Sequence, residues 1–179
     1  MLAVGGDDSN HSAQNPKYEI NLAAFSTIPD DSIVRPFPNT RNYDASRKWI
    51  GSEQRDFRFA ILTKENYAHS SNNLVVVIPK IIQLYLEQTD LFPETLKIYL
   101  DGRIDGGDRN HIRGLFIGKR GIERVVVDNF IKKRHGGHGE TIKRPNCPAV
   151  VYHADVLASM LLGLRAQELF SHEKLVLTD

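Results

Sequence analysis

The sequence predicts an α/β domain built on a mixed five-stranded sheet flanked by helices. Its 179 residues, 41% hydrophobic and 25% charged, suit one globular domain spanning residues 1–179 and exclude the low-hydrophobicity signature of disorder. Apolar runs of strand length and segments of helical period follow one another in the order β-β-β-α-β-α-β-α. Three consecutive strands favour an antiparallel meander, and the later strand-helix-strand units favour parallel crossovers within the same sheet.

The first strand is the apolar run 2–6, which breaks into Asp7, Asp8, Ser9 and Asn10, all turn formers. In the second, Tyr18, Ile20, Leu22 and Ala24 alternate with Glu19, Asn21 and Ala23, a pattern for one buried face. Residues 29–56 hold Pro29, Pro36, Pro38 and many polar side chains around Trp49, and read as an irregular insertion with a helical turn near 44–50. Residues 57–63 restore strand character.

Asn72 or Asn73 can cap a helix with Leu74, Val77, Ile78, Ile81, Ile82, Tyr85 and Leu86 on one face. Pro79 either kinks this helix or opens it as its first residue, leaving 74–78 as a strand. Residues 96–100 form a buried strand ending at Asp101-Gly102. A helix over 108–119, a strand over 125–130 and a final helix over 153–170 complete the order.

Cellular context is read from what the chain carries. One cysteine, Cys147, forms no internal disulfide, so a reducing, cytoplasmic setting is expected. The start of the chain lacks a basic segment followed by a long apolar one, and no run approaches the roughly 18 apolar residues of a membrane span.

Four carboxylates fall at informative places: Asp7 and Asp8 at the end of the first strand, Asp101 at the end of the fourth, and Asp155 in the first turn of the last helix. If the first and fourth strands are parallel neighbours, Asp7 and Asp101 meet at their carboxyl ends, where open α/β sheets place their sites. Converging carboxylates repel one another unless a divalent cation neutralises them, and hard oxygen donors select Mg2+ or Mn2+. Two such ions about 4 Å apart clamp a scissile phosphate, so phosphodiester hydrolysis is the expected chemistry. Each residue also has a plainer role: a turn at 7–10, a hairpin dipeptide at Asp101-Gly102, and a helix-dipole partner at Asp155. No returning strand follows Gly102, and it is the combination that points to catalysis.

These residues and their order resemble the ribonuclease H-like superfamily. Val4 to Ser9 is similar to the Asp-Glu opening of type 2 ribonucleases H, with Asp8 in the Glu position and Asn10-His11-Ser12 in place of their Gly-Arg-Gly. Asp7 to Asn10 with Ala154 to Ala158 resembles uncharacterised small proteins of this fold that open with Asp-Glu-Ser-Gly and close with Ala-Asp-x-x-Ala. Tyr99 to Gly102, Lys133-Arg134-His135 and Pro148 to Asp155 resemble, in order, landmarks of the PIWI domain of Argonaute proteins, although Leu100 stands where that family commonly has Arg. The resemblance implies a nuclease in which Asp7, Asp8, Asp101 and Asp155 hold two metal ions and act on RNA, DNA or a hybrid, with RNA or hybrid favoured. Guide-anchoring domains have no room in this length.

The net charge of +1 hides an asymmetry. Residues 103–144 hold eleven Lys or Arg and five Asp or Glu, a net of +6, which leaves −5 for the remainder. Lys119, Arg120, Lys132, Lys133, Arg134, His135 and His138 are therefore expected to bind nucleic acid, with a steep salt dependence. A solvated basic face is the plainer alternative, with Arg109 and Arg113 paired to Asp105 and Asp108. Zinc binding by His135, His138, Cys147 and His153 matches no familiar spacing. A catalytically inactive module of the same fold, binding nucleic acid, a protein partner or a second copy, is the competing reading of the chain.

Overall fold

The computed structural model describes residues 1–9, 18–27, 33–34, 36–53, 55–63, 73–130, 142–143 and 148–178. The main strands are β1 (Leu2–Ser9), β2 (Tyr18–Ser26), β4 (Phe57–Thr63), β5 (Thr95–Asp101), β6 (Arg124–Phe130) and β8 (Leu175–Thr178), in one sheet of order β6-β5-β1-β2-β4-β8. The antiparallel pairs are β1 with β2 and β2 with β4; β1 with β5, β5 with β6 and β4 with β8 are parallel, so β2 alone runs against the others. A separate ribbon pairs β3 (Ile33–Val34) with β7 (Ile142–Lys143).

Among the described residues the helices are α1 (Tyr43–Gly51), α2 (Asn73–Thr89), α3 (Gly106–Phe116), α4 (Ala149–Leu162) and α5 (Ala166–Phe170). Two clusters of buried side chains cover the two faces of the sheet. On one, Leu2, Val4, Ala23, Phe25, Leu96, Ile98 and Leu100 meet the apolar side of α2. On the other, Ile20, Leu22, Phe59 and Ile61 meet Leu157, Met160 and Leu161 of α4. The mixed sheet with helices on both faces is the architecture read from the sequence. None of the described helices is long and apolar enough to cross a membrane.

Five details differ from expectation, each for a local reason. The sheet has six strands because Leu175–Thr178 adds parallel to β4. β2 is buried on both faces, since α2 covers the side that carries Glu19 and Asn21. Residues 36–53 of the insertion are packed: α1 is capped by Asn42, whose side chain accepts from the Ala45 N–H, and it sets Trp49 and Ile50 against the α4 layer. Pro79 sits inside an unbroken α2, removing one N–H from its ladder. The last helix starts at Ala149 rather than 153 and stops at Gly163, with α5 a separate turn.

Candidate metal centre

The site forms at the carboxyl end of β1. Along a strand, successive side chains point to opposite faces, and here Leu2, Val4 and Gly6 face α2 while Ala3 and Gly5 face α4. Asp7, two residues beyond Gly5, takes the α4 face and is buried. Gly6 pairs with Leu100 in the parallel β1–β5 register, so Asp7 and Asp101 are the next residues of the two strands. Tyr99 belongs to the α4-side cluster, and Asp101 shares its parity.

α4 delivers the third carboxylate through an unusually close approach. The backbone of Gly5 lies against that of Val150 and Val151, leaving no space for a side chain. From Val150 to Asp155 the helix rises about 7.5 Å, and from Gly5 to Asp7 the strand advances about 6.6 Å. Helix and strand therefore run in step, and Asp155 arrives over Asp7. One oxygen from each of Asp7, Asp101 and Asp155 lies within 4.8 Å of the others; Asp7 is buried and the other two are partly exposed, which leaves the group accessible. Gly102 lets the chain turn away directly after Asp101, because a Cβ there would meet the Leu74 side chain at 2.4 Å and φ is +151°.

Asp155 is the seventh residue of α4, and no acidic residue stands in that helix's first turn. The helix-dipole role is therefore not open to it. Asp8 occupies the other face of β1, opposite Asn21 of β2, and is outside the three-carboxylate group. The turn at 7–10 does not form over its first residues, because β1 continues through Ser9.

Such a donor set suits a hard divalent cation: all three ligand atoms are carboxylate oxygens, drawn from three different elements. At separations of this order, like charges cost about 3–4 kcal/mol per pair at an effective dielectric constant of about 20. A bound dication would turn that repulsion into attraction.

The basic residues distribute unevenly in space. Lys119 and Arg120 lie in the turn between α3 and β6, where Glu123 and Arg124 donate backbone N–H groups to Glu94 at the start of β5. A crossover helix returns the chain to the far end of the sheet, so these two side chains stand about 20 Å along β5 from Asp101. Arg120 pairs there with Asp90 and lies over the Phe92 ring. Arg109 directs its Nε to the Asp105 backbone carbonyl, and Arg113 donates to Asn110 rather than to a carboxylate. Phe130, by contrast, pairs with Asp101. Lys132, Lys133, Arg134, His135 and His138 follow in the chain and lie outside the described residues, as does Cys147. His153 is buried against Glu53, Nδ1 to Oε2 3.1 Å, with Arg55 at 3.5 Å and Trp49 alongside.

Two features of the site go beyond the sequence expectations. The Gly5-Gly6 pair inside a strand is a signal for close backbone approach, and here it admits α4. Glu19 and Asn21, the polar side of an alternating strand in sequence, and Asn73, a helix-cap candidate, are all buried. No protein-family model and no curated protein matches the chain.

Proposed function

We propose that the chain is a divalent-metal-dependent nuclease of ribonuclease H-like fold, hydrolysing phosphodiester bonds of nucleic acid, with RNA or RNA/DNA hybrid the favoured substrates. The convergence of Asp7, Asp101 and Asp155 from two parallel strands and a helix packed backbone to backbone against one of them carries this reading. Mg2+ or Mn2+, two ions in the full proposal, would be held by these three carboxylates and would supply an activated water and charge neutralisation at the phosphate.

The chain's own residues do the positioning. β1 and β5 fix Asp7 and Asp101 through their ladder, and the Gly5–Val150 contact fixes Asp155, so the donors are arranged before substrate arrives. The basic run 132–138 begins two residues after Phe130, the partner of Asp101, within about 7 Å of chain reach. Its cations are suited to draw a phosphate backbone toward the partly exposed side of the carboxylates. Lys119 and Arg120 serve, in this reading, a longer nucleic-acid path at the far end of the sheet.

Asp8 on the α2 face favours a second reading, a module of the same fold that binds nucleic acid without turnover, since one carboxylate of the proposed four is absent from the group. Labelled RNA, DNA and hybrid incubated with the protein and Mn2+ separate the two. Cleavage that disappears in Asp7→Asn and Asp101→Asn supports the nuclease; binding without cleavage supports the module; cleavage indifferent to both substitutions contradicts the site.

A further inference from the structure

The opposite face of the same sheet end holds a second set of oxygen donors. Glu19 and Asn21 of β2 and Asn73 at the start of α2 are 3%, 0% and 6% exposed. The side-chain amides of Asn21, at 3.1 Å, and of Asn73 both donate to Glu19 Oε1. An ionised carboxylate only accepts, so both amides must turn their NH2 groups to Glu19 and their carbonyl oxygens elsewhere. Those two atoms, Asn21 Oδ1 and Asn73 Oδ1, are buried without a hydrogen-bond partner. Asp8 stands directly across the β1–β2 ladder from Asn21, on the same face, with Cβ atoms about 5 Å apart at such positions.

We propose that Asn21 Oδ1, Asn73 Oδ1 and the carboxylates of Glu19 and Asp8 form a binding site for a hard divalent cation, separate from the Asp7 centre. Asn21 Oδ1 and Asn73 Oδ1 hold electron pairs that no hydrogen-bond donor takes up, and Glu19 and Asp8 add carboxylate oxygens beside them, so the complementary ligand is an electron-pair acceptor. Amide carbonyls mixed with carboxylates are the donor chemistry that hard divalent ions take. Neighbouring Asp7 and Asp8 thus direct carboxylates into two cation sites on opposite faces of one strand end.

The test uses the Asp7→Asn/Asp101→Asn protein, in which the first centre is disabled. After stripping with chelator, Mn2+ is titrated by calorimetry, and crystals soaked in Mn2+ are measured at the manganese absorption edge. The expected result is residual Mn2+ binding, weakened at least about tenfold by a further Asn73→Leu change, and an anomalous peak within about 2.6 Å of Asn21 Oδ1 or Asn73 Oδ1. No residual heat, or an ordered water without anomalous signal at saturating Mn2+, overturns the proposal. If the Asn73→Leu protein does not fold, the anomalous map alone decides. In the unsubstituted protein, a peak at Asp7, Asp101 and Asp155 with none here contradicts this site alone, and the reverse pattern contradicts the nuclease reading alone.

Discussion

Gly5 of β1 and Val150 of α4 are in backbone contact: a Cβ on Gly5 would lie 2.2 Å from the Val150 carbonyl oxygen and 2.3 Å from its carbonyl carbon. Neither atom can swing aside as a side chain would. Gly5→Ala must therefore push α4 off the strand and carry Asp155 away from Asp7. The expected cost is about 3 kcal/mol, the upper part of the range for overpacking a core, together with weakened Mn2+ binding. Gly6→Ala is the control on the other face, where the atoms nearest the new methyl belong to the Ile78 and Leu100 side chains rather than to backbone. It should cost about 1 kcal/mol and leave the Mn2+ affinity of the Asp7, Asp101 and Asp155 centre unchanged. Chemical denaturation and calorimetry of the two variants check the contrast.

Asp8→Asn separates the observed placement from the family resemblance. Asp8 faces α2, so its neutralisation should leave Mn2+-dependent cleavage within about threefold of the unsubstituted protein, a change of under about 1 kcal/mol in barrier. Asp155→Asn removes a ligand of the proposed centre and should cost more than the ~10–100-fold typical of outer-sphere partners. Parallel rate measurements under one Mn2+ concentration distinguish the two residues.

The convergence of Asp7 and Asp101 was legible because it needs only strand parity and a parallel register, and both follow from the element order. The face taken by Asp8 was not, because it depends on whether β1 stops at residue 7 or runs on through Ser9. Lys119 and Arg120 were close to Asp101 in sequence but not in space, since a crossover helix spends its length returning to the other end of the sheet. β8 was not legible because Leu175–Thr178 is too short to show a period. Pro148, standing directly before α4, was the available signal that the helix begins earlier than His153, which moves Asp155 from the first turn to the second.

The insertion is tied to α4 by Glu53 and His153, whose side chains are each 1% exposed. Removing either partner breaks this bond in a site closed to water. Glu53→Ala and His153→Ala should each destabilise by about 1–3 kcal/mol. A double-mutant cycle should return a coupling in the range of about 0.5–3 kcal/mol. Denaturant midpoints of the four proteins supply the cycle, and additive losses would contradict the pairing.

Acid sensitivity should arise in part from His172. Burial between Phe57 and Phe59 lowers the affinity of its ring for a proton, with Lys174 acting in the same direction and Glu173 opposing. The folded value lies below the ordinary 6.5. Its contribution is therefore fully present above pH 6.5 and is lost as pH falls through the folded value, because the unfolded chain takes up the proton first. Melting temperature should fall on going from pH 7 toward pH 5, and the slope should be shallower in His172→Asn.

Manganese titration of chelator-stripped protein, comparing the unsubstituted chain with Asp7→Asn, Asp101→Asn and Asp155→Asn, tests the central claim most directly. Three carboxylates serving one centre predict that each substitution removes the same binding component, with the loss in any one variant not deepened by adding the second. Isotherms that are unchanged, or that respond to only one of the three residues, would contradict a shared metal centre.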